Sequence, residues 1–144
     1  MKKIDVSIPY REKGKRKELN FVCDFISKRS MDDFNSVMSH VASVQVAWDN
    51  IQKLKKEIEE NKNIDEIQEQ IDEKIKFIKS VDVNELHKKR IELAQRILRD
   101  NGITDEKFFS FKFWDECVNL TQLMDFLTTV IYKDLTDVKK NLIM

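Results

Sequence analysis

Few side chains in this chain of 144 residues could carry out acid–base, nucleophilic or metal chemistry. It has two histidines, His40 and His87, and two cysteines, Cys23 and Cys117. The histidines form no His-Glu-x-x-His pair and the cysteines lack the spacing of zinc ligands, so we expect no metal site. Neither a nucleophile elbow nor a glycine-rich phosphate loop occurs. We therefore predict that the protein is not an enzyme and holds no cofactor.

Composition and apolar patterning indicate where such a chain resides. Both cysteines lie in apolar stretches, where a free cysteine is usually a small core residue. The sequence shows no h-region of a signal peptide and no apolar run approaching ~20 residues, so we predict a cytoplasmic protein without a membrane span. The 26 basic and 26 acidic side chains cancel, so no overall field draws the protein to nucleic acid or to a membrane.

The first candidate binding site is the basic segment at residues 11–17. Its lysines and arginines could contact phosphates, but only Tyr10 offers a stacking aromatic nearby. We therefore expect a solvated hairpin tip and no nucleic-acid partner.

The second candidate is an aromatic block near the end of the chain. On a helix, Phe109 and Phe113 would share one face and Phe108 and Phe111 another, so one face cannot bury the whole block. Exposed aromatics anchor protein interfaces, and we assign partner binding to this block. The alternative is that the block packs over the hairpin as the lid of the core. The assigned residues are Phe108, Phe109, Phe111, Phe113 and Trp114.

The third candidate is a line of isoleucines in the charged stretch 53–79. Their spacing of three or four residues is typical of the seam of a helical hairpin or coiled coil. The register breaks at residues 60–63, where we predict a turn between two helices. We expect the line to pack on the preceding helix, with another chain as the alternative. Its members are Ile64, Ile67, Ile71, Ile75 and Ile78.

The spacing of apolar residues changes at Ser30. Before it they alternate, as on a strand with one buried face, and after it they recur every three or four residues, as on a buried helix face. We predict strands over 4–10 and 19–25, joined by a loop at 11–17 in which Gly14 takes positive φ. A two-stranded hairpin is marginal alone, so its apolar face must pack on helices or on another copy.

The rest of the chain predicts helices. The first is capped by Ser30 and carries a long apolar stripe that includes Trp48. Another starts at a capping box at 82–85 and ends at Gly102. A short acidic-capped turn follows at 104–106, and an apolar helix closes the chain.

These elements predict a mainly α protein with a small N-terminal β-hairpin, built as a helical bundle with a projecting charged helical hairpin. We expect a single domain over 1–144. It comprises the hairpin and junction at 1–29, the long helix and charged arm at 30–80, and the C-terminal helices at 81–144.

Three segments carry a family resemblance. The first is the hairpin followed by Phe-Ile-Ser-Lys-Arg and Ser-Met-Asp-Asp-Phe at 25–34. The second is Ile-Leu-Arg-Asp-Asn-Gly-Ile-Thr-Asp-Glu-Lys-Phe at 97–108, and the third is the apolar helix at 123–131. Together they resemble the tail assembly chaperones of long-tailed, siphovirus-type bacteriophages, although the charged stretch 53–80 is longer than is usual there.

The resemblance implies a non-enzymatic cytoplasmic protein of the infected host cell. It would coat the long helical tape measure protein, keep it soluble and recruit tail tube subunits. Such a role is physically reasonable, because exposed apolar stripes aggregate and many weak contacts along one polymer add up as avidity. The tape measure and tail tube proteins are thus the expected partners, and self-association through the hairpin is left open.

Two other functions are compatible with the residues. A phage-encoded helical module that inhibits a host or defence protein would form a stoichiometric complex with that protein. Nucleic-acid binding through the basic segment would show an affinity that falls steeply with salt.

Overall fold

The computed structural model describes the backbone of residues 2–60 and 63–143 and the side chains of residues 2–60 and 63–133. Two strands come first, β1 (Ile4–Glu12) and β2 (Lys15–Cys23). The α-helices are α1 (Lys28–Glu59), α2 (Ile64–Ser80), α3 (Val83–Asp100), α4 (Phe111–Cys117) and α5 (Leu120–Ile143), with a 3-10 helix, Glu106–Phe109, before α4. The predicted fold class, mainly α with an N-terminal hairpin, is confirmed.

The chain forms two compact units. The head unit contains Met1–Asn35 and His87–Met144, and the arm unit contains Ser36–Leu86. Helices α1 and α3 contribute residues to both. The single domain expected over 1–144 stays a prediction.

The hairpin is longer, and its turn tighter, than predicted. The strands pair antiparallel along their whole length, with Glu12 opposite Lys15. The expected loop at 11–17 is therefore a two-residue turn at Lys13 and Gly14, with φ of 52° and 75°. Two left-handed residues define a type I′ turn, whose twist matches that of the strands. The charged flanks lack apolar alternation and were expected to be loop, but their backbones belong to the strands.

The inner face of the hairpin packs on helices of the head unit. Strand β1 lies against α4 and α5, and Phe21 of β2 meets Phe126 of α5 edge-on, with ring centroids 6.0 Å apart. This burial stabilises a hairpin that would be marginal alone, and it confirms the expected packing on helices. The buried residues of the hairpin are Ile4, Val6, Ile8, Tyr10, Leu19 and Cys23.

Helix α1 is capped by Ser27, and the prediction of Ser30 was wrong. The Oγ of Ser27 accepts a hydrogen bond from the backbone N–H of Ser30 (3.1 Å) and donates one to the Oγ of Ser30 (3.0 Å). Ser30 lies in the first turn of the helix and is fully buried. Two serines three positions apart both fit the preference for a capping residue, so the sequence pattern alone does not select between them.

In the arm unit, the isoleucine line packs on α1, as expected. Ile51 of α1 is buried with Ile67 and Ile71 of α2, and the surrounding apolar side chains are Leu54, Ile58, Ile75 and Ile78. Two expected members of this interface are exposed, Trp48 by 44% and Ile64 by 48%. Ala47 is buried instead of Trp48, and it falls in register with Ile51, Leu54 and Ile58 at the 4-3-4 spacing of a narrow helical seam.

Both ends of α3 are as predicted. At its start, the carboxylate of Asp82 accepts a hydrogen bond from the backbone N–H of Glu85 (3.1 Å). At its end, Gly102 has a φ of 87° and the N–H of Ile103 reaches back to the carbonyl of Leu98 (3.1 Å). Only a residue that tolerates positive φ allows this closure without strain.

The side chain of Asn101 joins the strand–helix junction to the end of α3. Its Oδ1 accepts hydrogen bonds from the backbone N–H groups of Asp24 (2.9 Å) and Phe25 (3.1 Å). Its Nδ2 donates to the carbonyls of Phe25 (2.9 Å) and Ile97 (2.7 Å). Two of the three segments that carry the family resemblance are thus bonded to each other.

The closing helix α5 supplies much of the head-unit core. Its buried side chains are Leu123, Phe126, Leu127, Val130 and Ile131. Tyr132 also meets Phe34 of α1 edge-on, with ring centroids 5.7 Å apart. The closing apolar helix is confirmed over the described side chains, which end at Lys133.

We predict that Asn101→Ala lowers the free energy of unfolding by about 2 kcal/mol, because the substitution removes four hydrogen bonds at a partly exposed site. Asn119→Ala is the matched control. The Oδ1 of Asn119 accepts one bond, from the N–H of Thr121 at the start of α5 (2.7 Å), so its loss costs about 1 kcal/mol. Urea unfolding followed by circular dichroism measures both. Equal losses would contradict the conclusion that Asn101 holds the strand–helix junction to the end of α3.

Candidate partner-binding surfaces

The aromatic block divides between the core and the surface. Phe108, Phe113 and Trp114 are buried, whereas Phe111 is 47% exposed. The block is not one continuous helix, because Ser110 separates the 3-10 helix from α4 and caps α4 through its Oγ, 3.5 Å from the N–H of Phe113. The helical faces assumed from the sequence therefore do not apply.

The three buried rings form a lid over the tip of the hairpin. Tyr10 of β1 stands edge-on to Phe108 and Phe113, with ring centroids 5.9 and 5.1 Å apart. The indole Nε1 of Trp114 donates to the carbonyl of Phe108 (2.6 Å), which satisfies the polar atom of a buried ring. These three rings thus form the lid that the sequence left as the alternative. Their assignment as exposed partner anchors is corrected, because they complete the core above the hairpin.

The other two rings, Phe109 and Phe111, each lie beside a side chain of α3. The guanidinium of Arg99 lies 5.1 Å from the ring centroid of Phe109, which is half-buried. Phe111 stands beside His87, with ring centroids 6.1 Å apart, and the Nε2 of His87 lies 3.0 Å from the carboxylate of Asp115. Phe111 thus exposes an apolar ring on a braced helix, and its role as a partner anchor stays a prediction.

A charged cluster borders the lid. The Nζ of Lys107 donates to the hydroxyl of Tyr10 (3.1 Å) and lies 3.9 Å from the carboxylate of Glu12. Glu12 also accepts a hydrogen bond from Lys17 (3.0 Å). That bond lowers the pKa of Glu12, and the bond to Tyr10 raises the pKa of Lys107. Part of the basic segment is thus engaged within the head unit.

Sequence reasoning missed a second surface, an open groove in the arm unit. It has a volume of about 520 Å³ and lies between α1 and α2. Its α1 wall consists of Ser39, Ala42, Ser43, Val46, Ala47 and Asn50, and its α2 wall of Glu73, Lys74 and Phe77.

The groove is suited to another helix. Val46 is 57% exposed and Phe77 is 45% exposed, so apolar surface faces solvent on both walls. The other α1 side chains of the wall are short, which lets a helix approach closely, and an amphipathic helix binds such a groove through its apolar stripe. The spacing of positions 39, 42, 43, 46, 47 and 50 marks one helix face. Because most of these positions hold serine or alanine, their hydrophobic periodicity is weak and does not identify the groove from the sequence.

The side chains considered first for chemistry are dispersed. Cys23 is fully buried, and the Nδ1 of His40 lies 2.8 Å from the carbonyl of Ser36 one turn earlier. In the part of the chain that the structure describes, no group of three His, Cys, Asp or Glu side chains is placed to hold a metal ion. Among the same residues, no helix combines the length and apolarity needed to cross a membrane.

No family model, curated protein or solved structure matches this chain.

We predict that Phe113→Ala lowers the free energy of unfolding by about 3–5 kcal/mol, since it removes a buried ring from the lid. Phe111→Ala is the matched control, and we expect a loss below about 1 kcal/mol for that exposed position. Thermal and urea unfolding measure both. Similar losses for the two variants would contradict the division of the block into core and surface.

The charged cluster predicts a pH dependence. Because the pKa of Glu12 is lowered on folding, the carboxylate contributes stability above its ordinary value of 4.5 and loses it as the pH falls through the folded value. Lys107 has a raised pKa, so its contribution is full below 10.5 and is lost as the pH rises through the folded value. The stability difference between the native protein and Glu12→Gln should therefore shrink below pH 4.5. A difference that grows there would contradict the assignment.

Proposed function

We propose that this chain is a tail assembly chaperone of a long-tailed bacteriophage, acting in the cytoplasm of the infected cell. In this proposal it binds the tape measure protein, keeps it soluble and recruits tail tube subunits. The observation that carries the proposal is the open apolar groove between α1 and α2. The resemblance of the junction, of the segment 97–108 and of the closing helix to such chaperones supports it.

The groove has the dimensions of a helix-binding site. Its α1 wall extends from Ser39 to Asn50, which is three turns or ~16 Å of helix. About the same length of a partner helix can lie in it. A tape measure helix presents apolar side chains at helical spacing, and Val46 and Phe77 are the exposed contacts that this stripe would cover.

The composition of the groove is suited to a repetitive partner. Its α1 wall consists mostly of short side chains, its exposed apolar contacts are Val46 and Phe77, and its rim carries one acid and one base, Glu73 and Lys74. Such a surface selects for helix shape rather than for one sequence. Each contact is weak, but many copies along one tape measure helix hold it through avidity, since each bound site raises the effective concentration of the next.

The proposal also assigns a role to Phe111, one of the exposed aromatics of the head unit. Phe111 lies on a short helix braced against His87, and we assign it to the contact with tail tube subunits. The arm unit and the head unit would then bind different partners.

We predict that Val46→Glu abolishes solubilisation of the tape measure protein on co-expression, because it places an unpaired charge in the groove. Val83→Glu is the matched control, since Val83 is 68% exposed in the same unit and does not line the groove. The readouts are the soluble fraction of the tape measure protein and its co-elution with the chain.

Circular dichroism and unfolding verify that both variants fold like the native chain. The proposal is contradicted if the tape measure protein is equally soluble with and without the native chain and does not co-elute with it. If the two variants solubilise the tape measure protein equally well, the groove is not its binding site.

A further inference from the structure

The two-residue turn determines which backbone groups of the hairpin are free. In such a hairpin the residues that flank the turn, Glu12 and Lys15, exchange two backbone hydrogen bonds with each other. The pattern alternates from there, so every second residue directs its N–H and C=O away from the partner strand. The outward residues are Asp5, Ser7, Pro9 and Arg11 on β1 and Arg16, Glu18, Asn20 and Val22 on β2.

The two outer edges of the hairpin differ. Pro9 lies at an outward position, so it removes no hydrogen bond from the hairpin but leaves a gap in the outer edge of β1. The outer edge of β2 has no such gap. Among the described residues no third strand pairs with it. An uninterrupted open edge is a template for another strand.

We propose that β2 pairs with β2 of a second copy of this chain, which joins two hairpins into a four-stranded antiparallel sheet. This assembly uses the same edge on both copies, so it is closed by a two-fold axis. Because Pro9 interrupts the other edge, growth beyond two copies is disfavoured. The proposal does not depend on the proposed function.

One register satisfies side chains on both faces. It places Asn20 on the two-fold axis, opposite Asn20 of the second copy, where the two amides can pair. On the inner face, Leu19 then lies opposite Phe21 of the second copy. On the outer face, Arg16 then faces Asp24, the residue that follows the end of β2, which allows an ion pair of opposite charges.

Neighbouring registers are poorer. With the axis at Leu19, the inner-face charge of Lys17 lies opposite Phe21. With the axis at Glu18 or Phe21, like charges meet, either Glu18 with itself or Glu18 with Asp24. The apolar surface at this edge is consistent with a covering strand, because Val22 is 46% exposed and Phe21 is only half-buried.

The first test compares Asn20→Pro with Ser7→Pro. Ser7 and Asn20 are directly opposite each other, and both point outward, so the two prolines affect the hairpin itself in the same way. By sedimentation velocity over a range of concentrations, we expect the native chain and Ser7→Pro to dimerise alike. Asn20→Pro should dimerise at least roughly tenfold more weakly. A native chain that is monomeric throughout would overturn the proposal, as would equal weakening by both prolines.

The second test measures the register by oxidative cross-linking. Residues opposite each other at a hydrogen-bonded pair have Cα atoms ~5.5 Å apart, within reach of a disulfide. Asn20→Cys should therefore form a cross-linked dimer on a non-reducing gel. Glu18→Cys, which would lie opposite Val22, should not exceed the background of the native cysteines. Equal cross-linking of the two variants, or none above background for either, would overturn the register.

Discussion

The hydrogen bonds of one side chain, Asn101, hold the strand–helix junction against the end of α3. Its Oδ1 accepts hydrogen bonds from the N–H groups of Asp24 and Phe25, and its Nδ2 donates to the carbonyls of Phe25 and Ile97. This clamp fixes the exit of β2 and with it the start of α1. The lid of aromatic rings follows directly from the turn after Asn101, so the hairpin, its cover and the first helix share one anchoring point.

The two compact units differ in which side chains they bury and which they expose. The head unit uses its aromatics mainly for its own core, because Trp114 and its neighbours complete the cover of the hairpin. The arm unit buries one seam of isoleucines and leaves a second, smaller-residue face of α1 open beside it. The exposed apolar surface of the arm therefore includes Val46 and Phe77, which lie outside the buried isoleucine seam.

Features that depend on the local spacing of residues were predicted from the sequence. Features that require a choice between two similar nearby residues were not. The isoleucine line, the ends of α3 and the positive φ of Gly14 were predicted, since each has a local cause. Ser27 rather than Ser30 caps α1, and Ala47 rather than Trp48 is buried. Contacts with other parts of the chain, and not the local pattern, decide both. The groove was missed because short side chains have little hydrophobic signal. The lid was given only as the alternative to partner binding, because the break at Ser110 lies in a stretch that resembles one helix.

We propose that the open face of the arm binds a tape measure helix. Hydrogen–deuterium exchange tests it most directly, with the native chain measured alone and in complex with the co-purified tape measure protein. We expect slower exchange in the complex at residues 39–50 and 73–77, which form the walls of the groove. An intact complex in which these two segments exchange as fast as in the free chain would contradict it.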